Sequence, residues 1–562
     1  TRCLSDWSSD VCSSDLGTGK TFYLAKQIRR AVEKYGPEGV IVASFTRTAA
    51  AEIAGRNLPL GRAQVGTLHS HCYRALGCPD IAEVKRLRDW NENYPHWRLS
   101  EGGAVDIDDP YADTTAYEGT PGDLLMAEYQ SLRARMIPRE AWPLRVRNFA
   151  AAWEDWKRGL ACFDFTDLIE VALQDIPTAP GAPAVGFFDE VQDFTALELA
   201  LVRKWGSRMD YLILAGDDDQ CIYGFKGATP DAFLNPPVPP EQKRVLSQSY
   251  RVPQAIQRFA QEWIKQVKRR EPKEYRPRDA VGDVLRAKWG TWKRPEPICE
   301  LAATLAEQGK SVMILAACSY MLAPTIQVLR KAGVPFHNPF RDKRGDWNPL
   351  RRGGGKRLTA VDRLLAFLRM DYETWGDQTR PWTGEDVQRW SEILRQEGVF
   401  HRGMRQVIST WPLDAEAPLD QLASIMEEDA FVKAMELDLD WYLASAQAAK
   451  AKALEYPVRV AQRFGGRALR EEPKVVVGTI HSVKGGQADV VILFPDLSRQ
   501  GFEAWQRFDK RDEVIRQFYV GMTRARESLI IAPPVGQLSV PIWFEAGKFL
   551  TPPPTWAARI AA

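Results

Sequence analysis

Apolar residues recur along this chain in two rhythms. Between Thr21 and Tyr35, the residues Leu24, Ile28, Ala31, Val32 and Tyr35 fall on one face at helical spacing, which predicts an amphipathic helix. Elsewhere they run on without a break: Ala184–Phe188 (AVGFF), Tyr211–Ala215 (YLILA), Ser311–Ala316 (SVMILA), Lys474–Val477 and Val490–Phe494. Short runs of this kind predict strands buried on both faces, as in parallel sheets covered by helices. Leu358–Leu368 reads as a helix, and the Trp- and Arg-rich stretch from Pro79 to Cys162 as mostly helical. Thr1–Leu16 (TRCLSDWSSDVCSSDL) follows neither rhythm, so no strand is expected there. No apolar run approaches the roughly 18 residues that a membrane helix needs.

Composition narrows the class. At 562 residues, three to four domains are expected. With 45% hydrophobic and 26% charged residues, wholesale disorder and collagen- or mucin-like chains are excluded. Lys+Arg of 75 against Asp+Glu of 73 gives +2, so any nucleic-acid surface must come from local clustering. The eight cysteines are scattered without a CxxC pair, which argues against a disulfide framework, a zinc ribbon or a cysteine-bound cluster and fits a reducing, cytoplasmic setting. Most of the 19 tryptophans are expected in cores or between domains and a few as stacking platforms; Trp90, Trp97, Trp142, Trp153 and Trp156 are those that make the 79–162 stretch Trp-rich. Residues 1–16 have no basic n-region and no apolar h-region, so they are not a signal peptide. They read as a non-native-looking or disordered leader that resembles translated sequencing adapter.

Candidate chemistry begins at Gly17-Thr18-Gly19-Lys20-Thr21. Against the phosphate-loop pattern GxxxxGK[ST], Gly19, Lys20 and Thr21 match, while Ser14 stands where the first glycine belongs. Glycines let backbone N–H groups close around phosphate oxygens; Lys20 would contact the β/γ phosphates and Thr21 would ligate Mg²⁺. The bland alternative is a glycine-rich turn before a helix. Asp189-Glu190 ends a buried-strand run, where parallel sheets bind ligands. Asp189 is placed to hold Mg²⁺ and Glu190 to deprotonate the attacking water. An acidic helix N-terminus is the competing reading. After the third run come Gln220, placed to sense a γ-phosphate, and Tyr223 and Phe225, whose faces could meet bases or simply fill a core.

The series GTGKT, VASFTRTAAAEI (42–53), VGTLHS (65–70), DFTDLI (164–169), FFDEVQDF (187–194), AGDDDQCIYGFKGA (215–228), LSQSYRVP (246–253), VGTIHSVKGGQADVVIL (477–493) and YVGMTRARESL (519–529) resembles the UvrD/Rep-like branch of superfamily 1 DNA helicases in order and over nearly the whole chain. The resemblance implies an α/β fold: two RecA-like P-loop NTPase domains, parallel sheets flanked by helices, each with a mostly helical insertion. The first RecA-like domain would take 17–78 and 163–250 around an insertion at 79–162. The second would take 251–340 and 473–534 around an insertion at 341–472, with 535–562 a tail. It implies that ATP sits between the domains, that Tyr250 stacks on adenine, and that Arg251 and Arg524 reach the phosphates as arginine fingers. Gln487 stands where relatives commonly have Glu, and the adenine-reading glutamine of the family would lie upstream of Gly17. It assigns Phe45, Thr46, Arg47, Thr67, His69, Tyr223, Phe225, Lys226, Thr479 and His481 to a single-stranded DNA track.

The implied activity is ATP-dependent 3′ to 5′ DNA unwinding in replication, repair or recombination. The cofactors are ATP and Mg²⁺. The partners are single-stranded DNA and single/double-strand junctions, with repair or recombination proteins as candidates, and the expected state is a monomer or weak dimer. Two other functions are weighed: the motor subunit of a recombination helicase–nuclease complex, and a nucleotide-gated DNA-binding switch that does not unwind. A basic loop (Arg341, Lys343, Arg344, Arg351, Arg352, Lys356 and Arg357, with Gly353–Gly355) opens the second insertion and is either a duplex contact or a solvated hinge.

Overall fold

A computed structural model describes residues 11–13, 17–45, 58–61, 63–100, 120–341, 344–353, 357–370, 380–542 and 550. They fall into two compact units. One is drawn from Thr1–Arg286, Ala317–Tyr320 and Thr479–Lys548; the other is drawn from Ala287–Ala316, Met321–Gly478 and Phe549–Ala562. The expected α/β class, with parallel sheets flanked by helices, is what the chain adopts.

The first unit is built on a six-stranded parallel sheet: β1 (Val11–Ser13), β2 (Val40–Ser44), β3 (Val65–Thr67), β4 (Val185–Asp189), β5 (Tyr211–Gly216) and β6 (Lys243–Val245), in the order β3-β2-β4-β5-β1-β6. Alternation along the strands sends side chains to opposite faces. Val40, Val42, Val185, Phe187 and Ile213 meet Leu24, Ile28, Ala31 and Val32 of helix α1 (Lys20–Tyr35) on one face. Ile41, Ala43 and Phe188 meet Leu68 and Cys72 of α2 (Leu68–Ala75), with Leu168, Leu201 and Trp205, on the other. Both faces are thus covered, as the uninterrupted apolar runs predict.

One expectation fails. Val11–Ser13 does form a strand, pairing in parallel with β5 through Cys12↔Ala215 and with β6 through Cys12↔Arg244. Strand formation depends on what lies alongside more than on intrinsic propensity, and this segment occupies the slot between two strands. The helix after the phosphate loop begins at Lys20, one residue before the expected start.

The stretch between β3 and β4 is helical where described, notably in α3 (Pro121–Ala134) and α4 (Leu144–Gly159). Trp90, Tyr129, Phe149 and Trp153 are fully buried in its core, and Trp90 meets Trp153 edge-on at 4.9 Å. A buried ionic knot ties it to the sheet-flanking helix α5 (Phe165–Asp175). Asp164, which caps α5, accepts from Arg133 Nη1 at both oxygens (3.0 and 2.9 Å), from Lys157 Nζ (2.5 Å) and from Trp153 Nε1 (3.0 Å). Burial alone would raise its pKa, but Arg133 and Lys157 hold it well below the usual carboxylate range. Breaking such a knot by removing one partner is costly because a buried charge is stranded.

Later segments return to the first unit. In it, β7 (Gln248–Pro253) pairs with β8 (Arg276–Arg278), and β9 (Asp283–Arg286) lies beside β14 (Ala525–Ile531), itself beside β13 (Ala488–Leu493), all in parallel. In the second unit, β10 (Val312–Ala316), β11 (Phe336–His337) and β12 (Val475–Thr479) follow the order β11-β12-β10. Its helices include Ala360–Phe367, Gly384–Ser391 and Ala448–Phe464, packed around Phe367, Trp382, Trp390 and Tyr442. In the basic loop, Arg344 pairs with Asp346 and Arg352 with Asp362; Lys343 and Lys356 lie outside the described residues. No helix among the described residues is long and apolar enough to cross a membrane.

Glu83 sits at the edge of the ionic knot, where its Oε1 accepts from Phe165 N and Gln130 Nε2, both at 3.2 Å. Burial first, then the charge of Asp164, pushes its carboxyl up to about 8. A carboxyl raised in the folded state supports folding at low pH, and that support is lost as pH rises through the folded pKa. Glu83→Gln is therefore expected to melt higher than the parent by a margin that grows from about pH 5 to about pH 9. A margin independent of pH in melting curves would contradict this.

Candidate nucleotide site

Every strand of a parallel sheet points its C-terminus to the same edge, so Gly17–Gly19 after β1 and the segments after β4 and β5 gather there. Gly17 (φ 66°) and Gly19 (φ 82°) take left-handed conformations that favour glycine. Gly19 stands at the N-terminus of α1, where no side chain caps the helix and no acidic residue lies in the first turn. Its leading N–H groups and dipole suit an anion. Tyr250 N donates to Gly17 O at 3.0 Å, which lays β7 across the loop. A Cβ on Gly17 would stand 2.6 Å from Arg251 Cβ, so only glycine allows this approach. Tyr250 is 69% exposed beside Gly19, a free aromatic face next to the loop.

Lys20 is buried. Its Nζ lies 3.2 Å from Asp189 Oδ1 and bonds Glu190 Oε1. Thr21 follows in the first turn of α1, so a hydroxyl and the Asp189 carboxylate supply oxygen donors of the kind Mg²⁺ takes. Glu190 adopts a left-handed backbone (φ 56°), a strained choice for a non-glycine residue and one met at functional sites. Burial would raise its pKa, but Lys20, Lys484 and a 2.5 Å bond from Gln192 Nε2 hold it at about 2. Asp193 goes the other way: burial pushes it up to about 7 despite Lys484 Nζ at 2.5 Å from its Oδ2.

The two arginines arrive from distant sequence. Arg251 Nε donates to Gln487 Oε1 at 3.1 Å. Arg524 is fully buried; its Nε donates to Val520 O (2.9 Å) and its Nη2 to Gln220 Oε1 (3.0 Å). Gln220 Nε2 in turn donates to Asp217 Oδ2 at 2.9 Å. Gly17, Thr18, Gly19, Lys20, Thr21, Asp189, Glu190, Gln220, Tyr250, Arg251, Gln487 and Arg524 thus all belong to the first unit. Lys484, Asp193, Gln192 and Asp217 join them by direct bonds. These four stand inside the sequence motifs, yet the motifs alone assign them no role. A lysine within a glycine-rich motif is the one signal in the sequence that points to Lys484.

The residues assigned to a DNA track are placed unevenly. Thr46 and Arg47 lie outside the described residues. Thr67 and Thr479 spend their hydroxyls as local caps, accepting from Ser70 N and Ser482 N, each at 3.2 Å. His69 is 3.6 Å from Glu198. His481 is buried, its Nε2 at 3.1 Å from Ile222 O. Tyr223 is buried too: Phe45 and His481 pack against its ring, with the Lys226 and Lys484 ammonium groups at 5.7 and 5.2 Å from the ring centre. Its faces are already occupied, whereas Phe45 and Phe225 are each only half-buried. Phe225 borders a cavity of about 440 Å³ with Arg135, Arg507, Lys510, Glu503 and Glu513.

Comparison with known proteins agrees with the sequence resemblance. Residues 11–226 match the AAA domain family and residues 474–532 the UvrD-like helicase C-terminal domain family. The chain is similar to YjcD of Bacillus subtilis (strain 168), 25% identical over 247 residues, which are 39% of this chain and 31% of that protein. It is also similar to "ATP-dependent DNA helicase PcrA" of Staphylococcus epidermidis (strain ATCC 35984), 26% identical over 294 residues (48% and 40%). The same-named protein of Staphylococcus aureus (strain Mu50) is 27% identical over 282 residues (46% and 38%). The chain thus spans well under half the length of each of these relatives.

Gly17→Ala is expected to lower stability by about 1–3 kcal/mol, through left-handed strain and the clash with Arg251. Thermal melting unchanged from the parent would contradict the close approach of β7 to the loop.

Proposed function

We propose, for a chain that belongs to the UvrD/Rep-like branch of superfamily 1 helicases, an ATP-dependent DNA helicase activity that moves 3′ to 5′ on single-stranded DNA and opens duplex in replication, repair or recombination. The observation that carries this reading is the convergence of Lys20, Asp189, Glu190, Gln220, Arg251 and Arg524 at one sheet edge. Hydrolysis of a phosphoanhydride needs charge stabilisation on the transferred phosphoryl group and a base for water. Lys20 and the α1 N-terminus supply the first, and Arg251 and Arg524 add guanidinium donors of the kind that contacts such oxygens.

The Lys20–Glu190 pair suggests how the base is kept quiet. At about 2, Glu190 is too weak a base for its task. When Lys20 turns to a phosphate, Glu190 loses its nearest counter-charge and its basicity rises. Thr21 and Asp189 would hold Mg²⁺, which neutralises phosphate charge when bound. On the DNA side, Phe225 would stack on a base, since aromatic faces serve single strands without regard to sequence. Arg135, Arg507 and Lys510 border the same cavity, where Glu503, Asp509 and Glu513 balance their charge and Asp509 pairs with Arg507.

ATP turnover with and without single-stranded DNA, and strand displacement on 3′-tailed and 5′-tailed duplexes, test this reading. The expected result is DNA-stimulated hydrolysis and unwinding of the 3′-tailed substrate. Stimulated hydrolysis without unwinding would favour a translocating motor that needs a partner; DNA affinity that changes with nucleotide but no steady turnover would favour a binding switch. Glu190→Gln should keep ATP and DNA binding and lose about 10²–10⁴-fold in turnover. Near-normal turnover would remove Glu190 from the role of base.

A further inference from the structure

Three consecutive carboxylates, Asp217, Asp218 and Asp219, follow β5, and all three are buried. Charges in such a place must be paired. Their partners come from a segment between α6 (Gln254–Ile264) and β8 that matches none of the sequence motifs. Lys273, itself buried, sets its Nζ 2.7 Å from Asp217 Oδ1, bonds Asp218 Oδ1 and lies 3.4 Å from Asp219 Oδ2. Arg270 grips Asp219 with two bonds, 2.8 and 2.6 Å, and Glu271 N donates to Asp218 Oδ2 at 2.8 Å.

We infer that Lys273 is a positioning residue for ATP hydrolysis: by keeping Asp217 charged it fixes which way the Gln220 carboxamide points, and through Gln220 it sets Arg524. The inference rests on the function proposed above. Its chemical core is a matter of donors and acceptors. An ionised carboxylate can only accept and a guanidinium can only donate. Gln220 lies between the two, so its NH₂ must face Asp217 Oδ2 (2.9 Å) and its oxygen must face Arg524 Nη2 (3.0 Å). That orientation is compulsory only while Asp217 is charged. Burial works against the charge, and Lys273 outweighs it, holding Asp217 below the usual carboxylate range while Asp219 is driven above it. Lys273, Asp217, Gln220 and Arg524 therefore form one buried file of alternating donors and acceptors. A slack Gln220 would cost Arg524 its 3.0 Å terminal bond and leave Nη1 on Gly486 O and Nη2 on Thr523 Oγ1, each at the longer 3.4 Å, and misplacement of a charge-stabilising group is costly to turnover.

The test is a double-mutant cycle on DNA-stimulated ATP turnover. Lys273→Gln and Asp217→Asn are each compared with the parent and with Gln220→Ala. Asp217→Asn leaves two carboxylates facing Lys273 and Arg270, so it serves if Lys273→Gln does not fold. An asparagine there can donate as well as accept, which frees the carboxamide to turn. Each single variant is expected to lose about 10- to 100-fold in kcat. Nucleotide-free DNA affinity should stay near the parental value, and KM for ATP should rise by no more than the affinity for ATPγS falls. In the Gln220→Ala background neither should cause a further loss. Losses that multiply in that background, or an unchanged kcat, would overturn the inference. Equilibrium binding of ATPγS against ADP gives a second readout, because Gln220 and Arg524 would both sense the third phosphate. Both variants should lose the parental preference for ATPγS. A parent that binds both nucleotides yet hydrolyses no ATP would overturn the proposed function alone, and variants that then kept the preference would overturn the relay. A parent that binds neither would overturn both.

Discussion

A lysine ammonium enclosed at the end of a parallel sheet has to be neutralised, and the arrangement of the first unit follows from how that is done. Lys20 is only 3% exposed. Asp189 and Glu190 neutralise it, arriving on β4, two strands away from β1 in the sheet. Glu190 must enter a left-handed turn to reach it. Removing both acids from water is costly unless bonds replace the lost hydration. Gln192 and Lys484 supply part of that, and Lys484 brings the segment between β12 and β13 onto the same edge. A phosphate would serve Lys20 as well as a carboxylate does, so the site is held in a form that a polyanionic ligand can replace.

The same logic of compensated burial recurs twice. Asp164 anchors the helical insertion through Arg133 and Lys157, and the Asp217–Asp219 run is met by Lys273 and Arg270. In each case the carboxylates lie in a sequence motif and the cations lie outside it. In these two clusters the motifs mark the acids, while the bases that make them tolerable come from outside the motifs.

That division explains what could be read in advance. The helix after the phosphate loop, the strands at Ala184–Phe188 and Tyr211–Ala215 and the tryptophan-rich core of the insertion were legible because apolar periodicity reports burial directly. Strand β1 was not legible: Val11-Cys12-Ser13 has no pattern of its own and is a strand because β5 and β6 flank it. At the site, Lys20, Asp189, Glu190, Gln220, Arg251 and Arg524 follow from motif context, but their pairings depend on tertiary approach. Nothing in Tyr223, Thr479 or His481 as letters says that they are buried and already bonded. Lys273 gives no local signal, since a buried lysine and a solvated one are spelled alike.

Lys20 is held by carboxylates in a site made to exchange them for phosphates. Calorimetric titration of Mg²⁺-ATP into the parent and into Lys20→Met tests it most directly. Saturable binding to the parent is expected, with an affinity lower by about 100-fold or more in Lys20→Met, in line with the removal of a charge-assisted hydrogen bond from a buried site. Equal affinity in the two proteins, with both folded, would contradict it.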